Sequence, residues 1–214
     1  MKGVVRMRKI KRIVQLLMVA VLALGMLAGC NNASSDTSAQ EAKGSIAEIK
    51  KRGKIRIGVF SDKNPFGYVD ENGENQGFDV YIARRFAKDL LGDESKVEFV
   101  LVDAASRVAF LESNKVDIIM ANFTVTEERK QKVDFANPYM KVSLGIVSPE
   151  SAPITSVEQL KGKKAIVAKG TTAETYLTKN YPDIEQLKFE QYTEIFEALK
   201  DGRGDAIVND NTEV

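Results

Sequence analysis

Histidine does not occur in the 214 residues of this chain. Its absence removes imidazole acid–base chemistry, Ser–His nucleophiles and His-ligated metal sites together. Cysteine occurs once, so no intrachain disulfide and no CxxC metal cluster can form. Neither sign of charge is in excess. Lys and Arg number 31 against 30 Asp and Glu, a net +1, and nothing in that balance points to nucleic acid. What is present, 43% hydrophobic and 29% charged residues, is globular composition with length for one or two compact domains. No cofactor and no metal site is expected.

The single cysteine is placed informatively. Lys2 to Arg12 are basic, Ile13 to Ala28 are apolar apart from Gln15 and Gly25, and Leu27-Ala28-Gly29-Cys30 follows. A basic region, an apolar run and a small-residue junction make a secretory signal. The run is short for a spanning helix, which needs about 20 residues. The small-small-Cys ending resembles a bacterial lipobox. The expectation is a signal peptide at 1–29 and a lipid-modified Cys30, with the mature chain anchored on the extracytoplasmic face of the cell membrane. Residues 30–44 are rich in Asn, Ser, Thr, Ala and Gln and read as a flexible tether.

From Ser45 onward, strand and helix patterns alternate. Ser45-Ile46-Ala47-Glu48 is a capping box whose helix ends at Gly53, and Ile55 to Phe60 reads as a strand. Residues 61–77 are loop with a turn at Glu71-Asn72-Gly73. Asp79 is read as the cap of a helix to Leu91, with Val80, Ala83, Phe86, Ala87 and Leu90 on its apolar face. Strand 97–102, helix 104–113 and strand 116–121 follow. After Pro138 comes strand 142–148. A second series has a capping box at 156–159, strand 164–168, a helix from Thr171, strand 187–190, helix 194–200 and strand 206–208. The alternation predicts an α/β fold on mostly parallel sheet. The divisions expected are 45–141 for a first lobe and 142–214 for a second. The second series looks unfinished at Val214, so a C-terminally truncated chain is the expectation.

In open α/β sheets, ligands lie beyond the carboxyl ends of strands. Those ends carry Phe60, Ser61, Lys63 and Phe66; Asn122, Thr124 and, one turn later, Arg129; Gly170, Thr171 and Thr172; and Asp210. Arg129 as cation and Asp210 as anion, with hydroxyls and aromatics, complement a zwitterion. Arg129 stands in the first turn of a helix, where the macrodipole disfavours a cation, so an anionic partner is expected, either a structural carboxylate or a ligand gripped through two parallel bonds. Asp210 can accept from an ammonium group. Gly170-Thr171-Thr172-Ala173-Glu174 is a further capping box, serving as a cap alone or also as a carboxylate seat. Phe60 and Phe66 can cover the apolar part of a ligand, although Phe66 after a proline also reads as a loop anchor. Arg107 reads either as a solvated helix charge or as a ligand group.

An ordered set of segments carries a resemblance. They are Ile55-Arg56-Ile57-Gly58-Val59, Pro65-Phe66-Gly67-Tyr68, Gln76-Gly77-Phe78-Asp79-Val80, Val116-Asp117-Ile118-Ile119, Thr124-Val125-Thr126-Glu127-Glu128-Arg129, Val133-Asp134-Phe135, Pro138-Tyr139, Leu160-Lys161-Gly162-Lys163, Gly170-Thr171-Thr172 and Gly202-Arg203-Gly204-Asp205-Ala206. The chain from Ser45 to Val214 resembles the family 3 bacterial solute-binding proteins, receptors of polar amino-acid ABC importers, and looks most like their cysteine-binding lipoproteins. The resemblance implies a two-lobed clamshell of the type II periplasmic-binding-protein kind, hinged on crossing strands. It implies that Arg129 binds an α-carboxylate with help from Thr124 and Thr172, and that Asp210 binds the α-ammonium. It also implies a monomer that delivers its amino acid to ABC permease subunits without chemistry. In acidic-ligand relatives the Phe60 position can be lysine, so phenylalanine here argues against an acidic ligand. Arg107 matches an arginine of acidic-ligand members and argues for one. Two further readings belong to other classes: a cyclohexadienyl dehydratase-like enzyme on the same fold, and a sensor domain fused to a kinase or channel.

Overall fold

A computed structural model describes residues 45–212. The expected signal peptide, Cys30 and the tether lie outside the described residues. In chain order the elements are α1 (Ile46–Arg52), β1 (Ile55–Val59), β2 (Asp62–Lys63), β3 (Gly67–Val69), β4 (Asn75–Gln76), α2 (Phe78–Leu91), β5 (Val97–Leu101), α3 (Arg107–Glu112), β6 (Ile118–Ile119), α4 (Glu127–Lys130), β7 (Leu144–Val147), β8 (Lys164–Ala168), α5 (Thr172–Asn180), β9 (Glu185–Phe189), α6 (Tyr192–Lys200) and β10 (Ala206–Asp210). Three-residue and four-residue 3-10 turns precede β5 and β8.

β1 is buried along almost its whole length because it is the middle strand of a parallel sheet ordered β5-β1-β6. A strand covered on both faces reads as a continuous apolar run. A second sheet is ordered β7-β10-β8-β9, parallel from β10 to β9 with β7 antiparallel at its edge. A small antiparallel ribbon, β2-β3-β4, follows β1. It turns at Asp70 to Gly73, where the Gly73 N–H donates to Asp70 O at 3.0 Å. One apolar cluster joins the two sheets, with Phe60, Val102 and Ala121, just past the strands of the first, against Ile166 and Ile207 of the second and Tyr192 of α6. The described residues therefore pack as one unit.

Several expectations need correction. Asp79 does not cap α2. The N-cap position is Gly77, at φ 116°, and the first N–H groups of the helix donate to main-chain carbonyls: Phe78 to Pro65 and Asp79 to Phe66, both at 2.9 Å. The Asp79 side chain turns inward instead. Phe86 leaves the apolar face and is 39% exposed, while Val80, Ala83 and Ala87 are buried. Six residues beyond Val80, it stands about 240° round the helix. The helix expected at 104–113 is shorter, α3, because Asp103 and Ser106 make a turn in which the Ser106 N–H donates to Asp103 Oδ1 at 2.7 Å. Conversely, β10 runs past Val208 to Asp210, because Asp210 pairs with Leu144.

Candidate functional site

The ends of β1, β6, β8 and β10 converge on a cleft lined by Lys63, Arg107, Asn122, Thr124, Arg129, Thr171, Thr172, Tyr192, Asn209 and Asp210. Seven of the ten expected ligand residues belong to this lining. The other three behave differently. Gly170 supplies a main-chain carbonyl to the arginines. Phe60 lies beneath the cleft, fully buried and edge-on to Tyr192, with ring centroids 5.4 Å apart. Phe66 packs on Phe78, 6.3 Å between centroids, and so acts as the loop anchor.

α4 is a single turn, and the Thr126 hydroxyl caps it by accepting the Arg129 N–H. Arg129 therefore lies in the first and the last turn at once, and a macrodipole of one turn cannot explain its partners. They are carbonyls. Arg129 Nη1 donates to Thr124 O at 2.7 Å and Nη2 to Gly170 O at 2.9 Å. A guanidinium has five N–H donors, so these two bonds leave three for a further acceptor.

Arg107 differs. It is 3% exposed, so the solvated-charge reading fails. It donates to Ala104 O at 2.9 Å, Ala121 O at 2.9 Å, Asn122 O at 3.2 Å and Gly170 O at 3.1 Å. With four bonds to main-chain carbonyls it has little capacity left for a ligand. Its guanidinium and that of Arg129 each lie 4.6 Å from the centroid of the Phe123 ring, a favourable placement over an aromatic quadrupole. Burial, reinforced by Arg129, pushes Arg107 down to about 10. Burial also lowers Arg129, against the pull of Asp210. Both stay charged at neutral pH.

Asp210 ends β10 on the side of the second sheet. It is 6% exposed, and among the described residues no hydrogen bond or ion pair reaches its carboxylate. Burial raises it above the usual carboxylate range, opposed by the fields of Lys63, Arg107 and Arg129. A buried, unpaired carboxylate is costly to a fold, and such groups concentrate at functional sites.

The strand-end loops are themselves pinned. Asn122 adopts φ 43°, a conformation Asn tolerates better than most residues. Its N–H donates to the buried Asp79 carboxylate at 3.0 Å, and Tyr139 Oη donates to the other Asp79 oxygen at 2.7 Å. Burial raises Asp79 while these two donors hold it down. Gly170 sits at φ 74°, and a Cβ there would stand 2.5 Å from Ala105 Cα. The glycine is what lets the start of α5 approach the start of α3. Thr171 Oγ1 donates to Ala168 O and accepts from the Glu174 N–H, so its hydroxyl is spent as a cap. Glu174 accepts from the Gly170 N–H at 2.7 Å, one residue before the N-cap Thr171, so the expected capping box is formed only in its Thr171 half. The Thr172 hydroxyl makes no hydrogen bond among the described residues and faces the cleft.

Lys63, Tyr192 and Asn209 join the site beyond the residues expected for it. Lys63 follows β1 in the expected place for a ligand residue, yet nothing local marks it as buried. It is 4% exposed, and its Nζ donates to Tyr192 Oη at 3.0 Å. Among the described residues no group of three or more metal-ligating side chains occurs, and no helix is long and apolar enough to cross a membrane.

Known proteins are similar to this chain in sequence and in fold. The ABC transporter glutamine-binding protein GlnH of Bacillus subtilis is 38% identical over 205 residues, covering 94% of this chain and 75% of that protein. The crystal structure of the solute receptors for L-cysteine of Neisseria gonorrhoeae superposes with a TM-score of 0.77 at 61% identity, over 78% of this chain and 68% of that one. The cysteine-binding protein from Campylobacter jejuni gives 0.77 at 60% identity, over 78% and 67%. The α/β fold is thus the two-lobed one of type II periplasmic binding proteins. Residues 55–188 match the family as a whole, and the chain belongs to the bacterial extracellular solute-binding proteins, family 3.

Proposed function

We propose that this protein captures a polar L-amino acid, cysteine in the first place, and delivers it to the permease subunits of an ABC importer. Binding involves no chemistry. The observation that carries the reading is the buried Asp210 carboxylate, which has no hydrogen bond or ion pair among the described residues, sharing one cleft with Arg129. The three remaining N–H donors of Arg129 suit an α-carboxylate, assisted by Thr124 and Thr172, and Asp210 suits the α-ammonium. Residues 45–141 and 142–214 act as lobes that close on the zwitterion. Closure is stabilised only by contacts that the ligand makes better in the closed state. Similarity to two cysteine receptors at 60% and 61% identity supports cysteine, whereas the 38% identical relative is named for glutamine. The small-small-Cys junction supports a lipid anchor at Cys30 for a monomer working outside the cell membrane.

A second reading, an acidic amino acid, is favoured by Lys63, a further buried cation in the same cleft. The dehydratase reading loses its candidate Glu174 to the cap of α5. A thermal-shift screen of the amino acids, followed by calorimetry, tests the function. One small polar amino acid should raise the midpoint by mass action. A flat response across all of them overturns the reading, and a response to glutamate or aspartate alone selects the second.

A further inference from the structure

Helix α6 begins without a cap of its own. The side chain of its N-cap residue, Gln191, makes no capping bond. The bond comes from 130 residues away, where Asp62 Oδ2 accepts the Tyr192 N–H at 2.6 Å. Asp62 belongs to β2, which follows the first sheet, whereas α6 packs on β8 and β10 of the second. Its neighbour Lys63 donates to the Tyr192 hydroxyl at 3.0 Å and lies 4.3 Å from the centre of that ring, and Phe60 meets the same ring edge-on. One residue of α6 is thus gripped by three residues of the other half of the molecule. Asp62 itself is not part of the cleft lining, but Tyr192, Asn209 and Asp210 are.

We propose that Asp62 is a positioning residue for the cleft: by capping α6 from the opposite lobe it holds the two halves together and sets how long a bound amino acid stays. This deepens the binding reading and rests on it. A helix end leaves several N–H groups without intrahelical partners, and an acidic cap answers both their hydrogen-bonding need and the helix dipole. A cap within α6 would meet that need in any arrangement of the lobes. A cap supplied by β2 meets it only while the lobes are together, so the helix end becomes a latch. Asp62 acts late, on the closed state, and its loss belongs in the dissociation rate.

The test uses the full chain, with L-cysteine and L-glutamine as probes in stopped-flow binding. Four variants are compared: Asp62→Ala, Asp62→Asn, Gln191→Asp, and Asp62→Ala with Gln191→Asp. Asp62→Ala should speed dissociation about tenfold, the usual scale of a lost cap, with association changed less than twofold. Adding Gln191→Asp gives α6 a local cap and should restore the melting midpoint but not the slow dissociation. Restoration of both would reduce Asp62 to an ordinary helix cap and overturn the proposal. Asp62→Asn keeps an oxygen acceptor and guards against misfolding of the alanine variant; it should dissociate two- to fivefold faster, and an unchanged rate overturns the proposal. If the wild type binds neither probe, the functional reading fails separately. Small-angle scattering of the ligand-free protein still decides the latch: the double variant should be more expanded than Gln191→Asp alone, and equal radii of gyration overturn it.

Discussion

Arg129 Nη2 donates to the carbonyl oxygen of Gly170 at 2.9 Å, across 41 residues of chain. The same carbonyl accepts from Arg107 Nη2 at 3.1 Å. One oxygen thus ties both guanidinium groups to the start of α5, but the two arginines are not equivalent. Arg107 spends four bonds on carbonyls and Arg129 spends two. Arg129→Ala should therefore cost about 2–5 kcal/mol of ligand binding, the usual loss for one partner of a buried charged pair, with little change in melting. Arg107→Met should lower the melting midpoint first, because it takes their donor from Ala104 O and Ala121 O, whereas Gly170 O keeps Arg129 and Asn122 O keeps the Thr124 N–H. Calorimetry and melting on both variants check this. Equal affinity of Arg129→Ala and wild type would remove Arg129 from the site.

Gly170→Ala separates closure from folding. Residue 170 adopts φ 74°, so the left-handed strain of about 1–2 kcal/mol lowers stability. The added Cβ also meets Ala105 Cα at 2.5 Å and Ala104 O at 2.8 Å, main-chain atoms that cannot swing away, and it meets them only when α5 lies against α3. Affinity should fall at least tenfold, and the ligand-induced compaction seen by small-angle scattering should shrink. Wild-type compaction in this variant would mean that the contact plays no part in closure.

The buried Asp79 and Asp210 and the half-buried Asp62 predict opposite pH trends for stability and binding. Burial raises Asp62, Asp79 and Asp210 above their ordinary value of 3.8. Between 3.8 and the raised values the folded state holds protons that the unfolded chain has released. Stability contributed by these groups then falls as pH rises through that window and recovers on acidification. Ligand affinity should move the other way, because an ammonium group needs Asp210 ionised. Calorimetry across that range should find affinity declining towards acid in the wild type, with the slope lost in Asp210→Asn. A slope that survives the substitution would assign it to another group.

What the sequence made legible was local. Ser45, Glu48 and Gly53 mark α1 because a cap is settled within one turn. β1 announces itself because burial on both faces demands an unbroken apolar run. That Arg129, Thr124 and Asp210 line one cleft was within reach because strand ends gather on one side of this kind of sheet. The rest depends on distance along the chain. Asp79 looks like a helix cap until Asn122 and Tyr139, 43 and 60 residues away, claim both its oxygens. Lys63 follows β1 like any loop lysine, and only α6, 129 residues on, makes it a buried cation. Arg107 reads either as a surface charge or as a ligand group because the carbonyls that bind it come from other loops.

A last contrast separates charge that builds the fold from charge that binds. Asp117 has a fully buried side chain, like the cleft carboxylates, but every need of its carboxylate is met. Oδ2 accepts the Arg56 N–H at 2.8 Å, Oδ1 accepts from Arg56 Nη2 at 2.8 Å, and Arg52 completes the pairing. The Arg56 guanidinium is raised in turn, chiefly by its hydrogen bond to Asp117. The cluster ties the end of α1 and the start of β1 to the strand before α4, on the side of the first sheet where Asn114 O also accepts from Arg56. Arg52 and Arg56 are 28% and 24% exposed and can be hydrated once Asp117 is gone, so the loss is on the scale of a hydrogen bond to a charged group, about 1.5–3 kcal/mol. Asp117→Ala should lose that much in urea unfolding, yet where the protein remains folded its amino-acid affinity should match the wild type. A drop in affinity larger than the unfolded fraction explains would show that this cluster reaches the cleft and that the two kinds of charge are coupled.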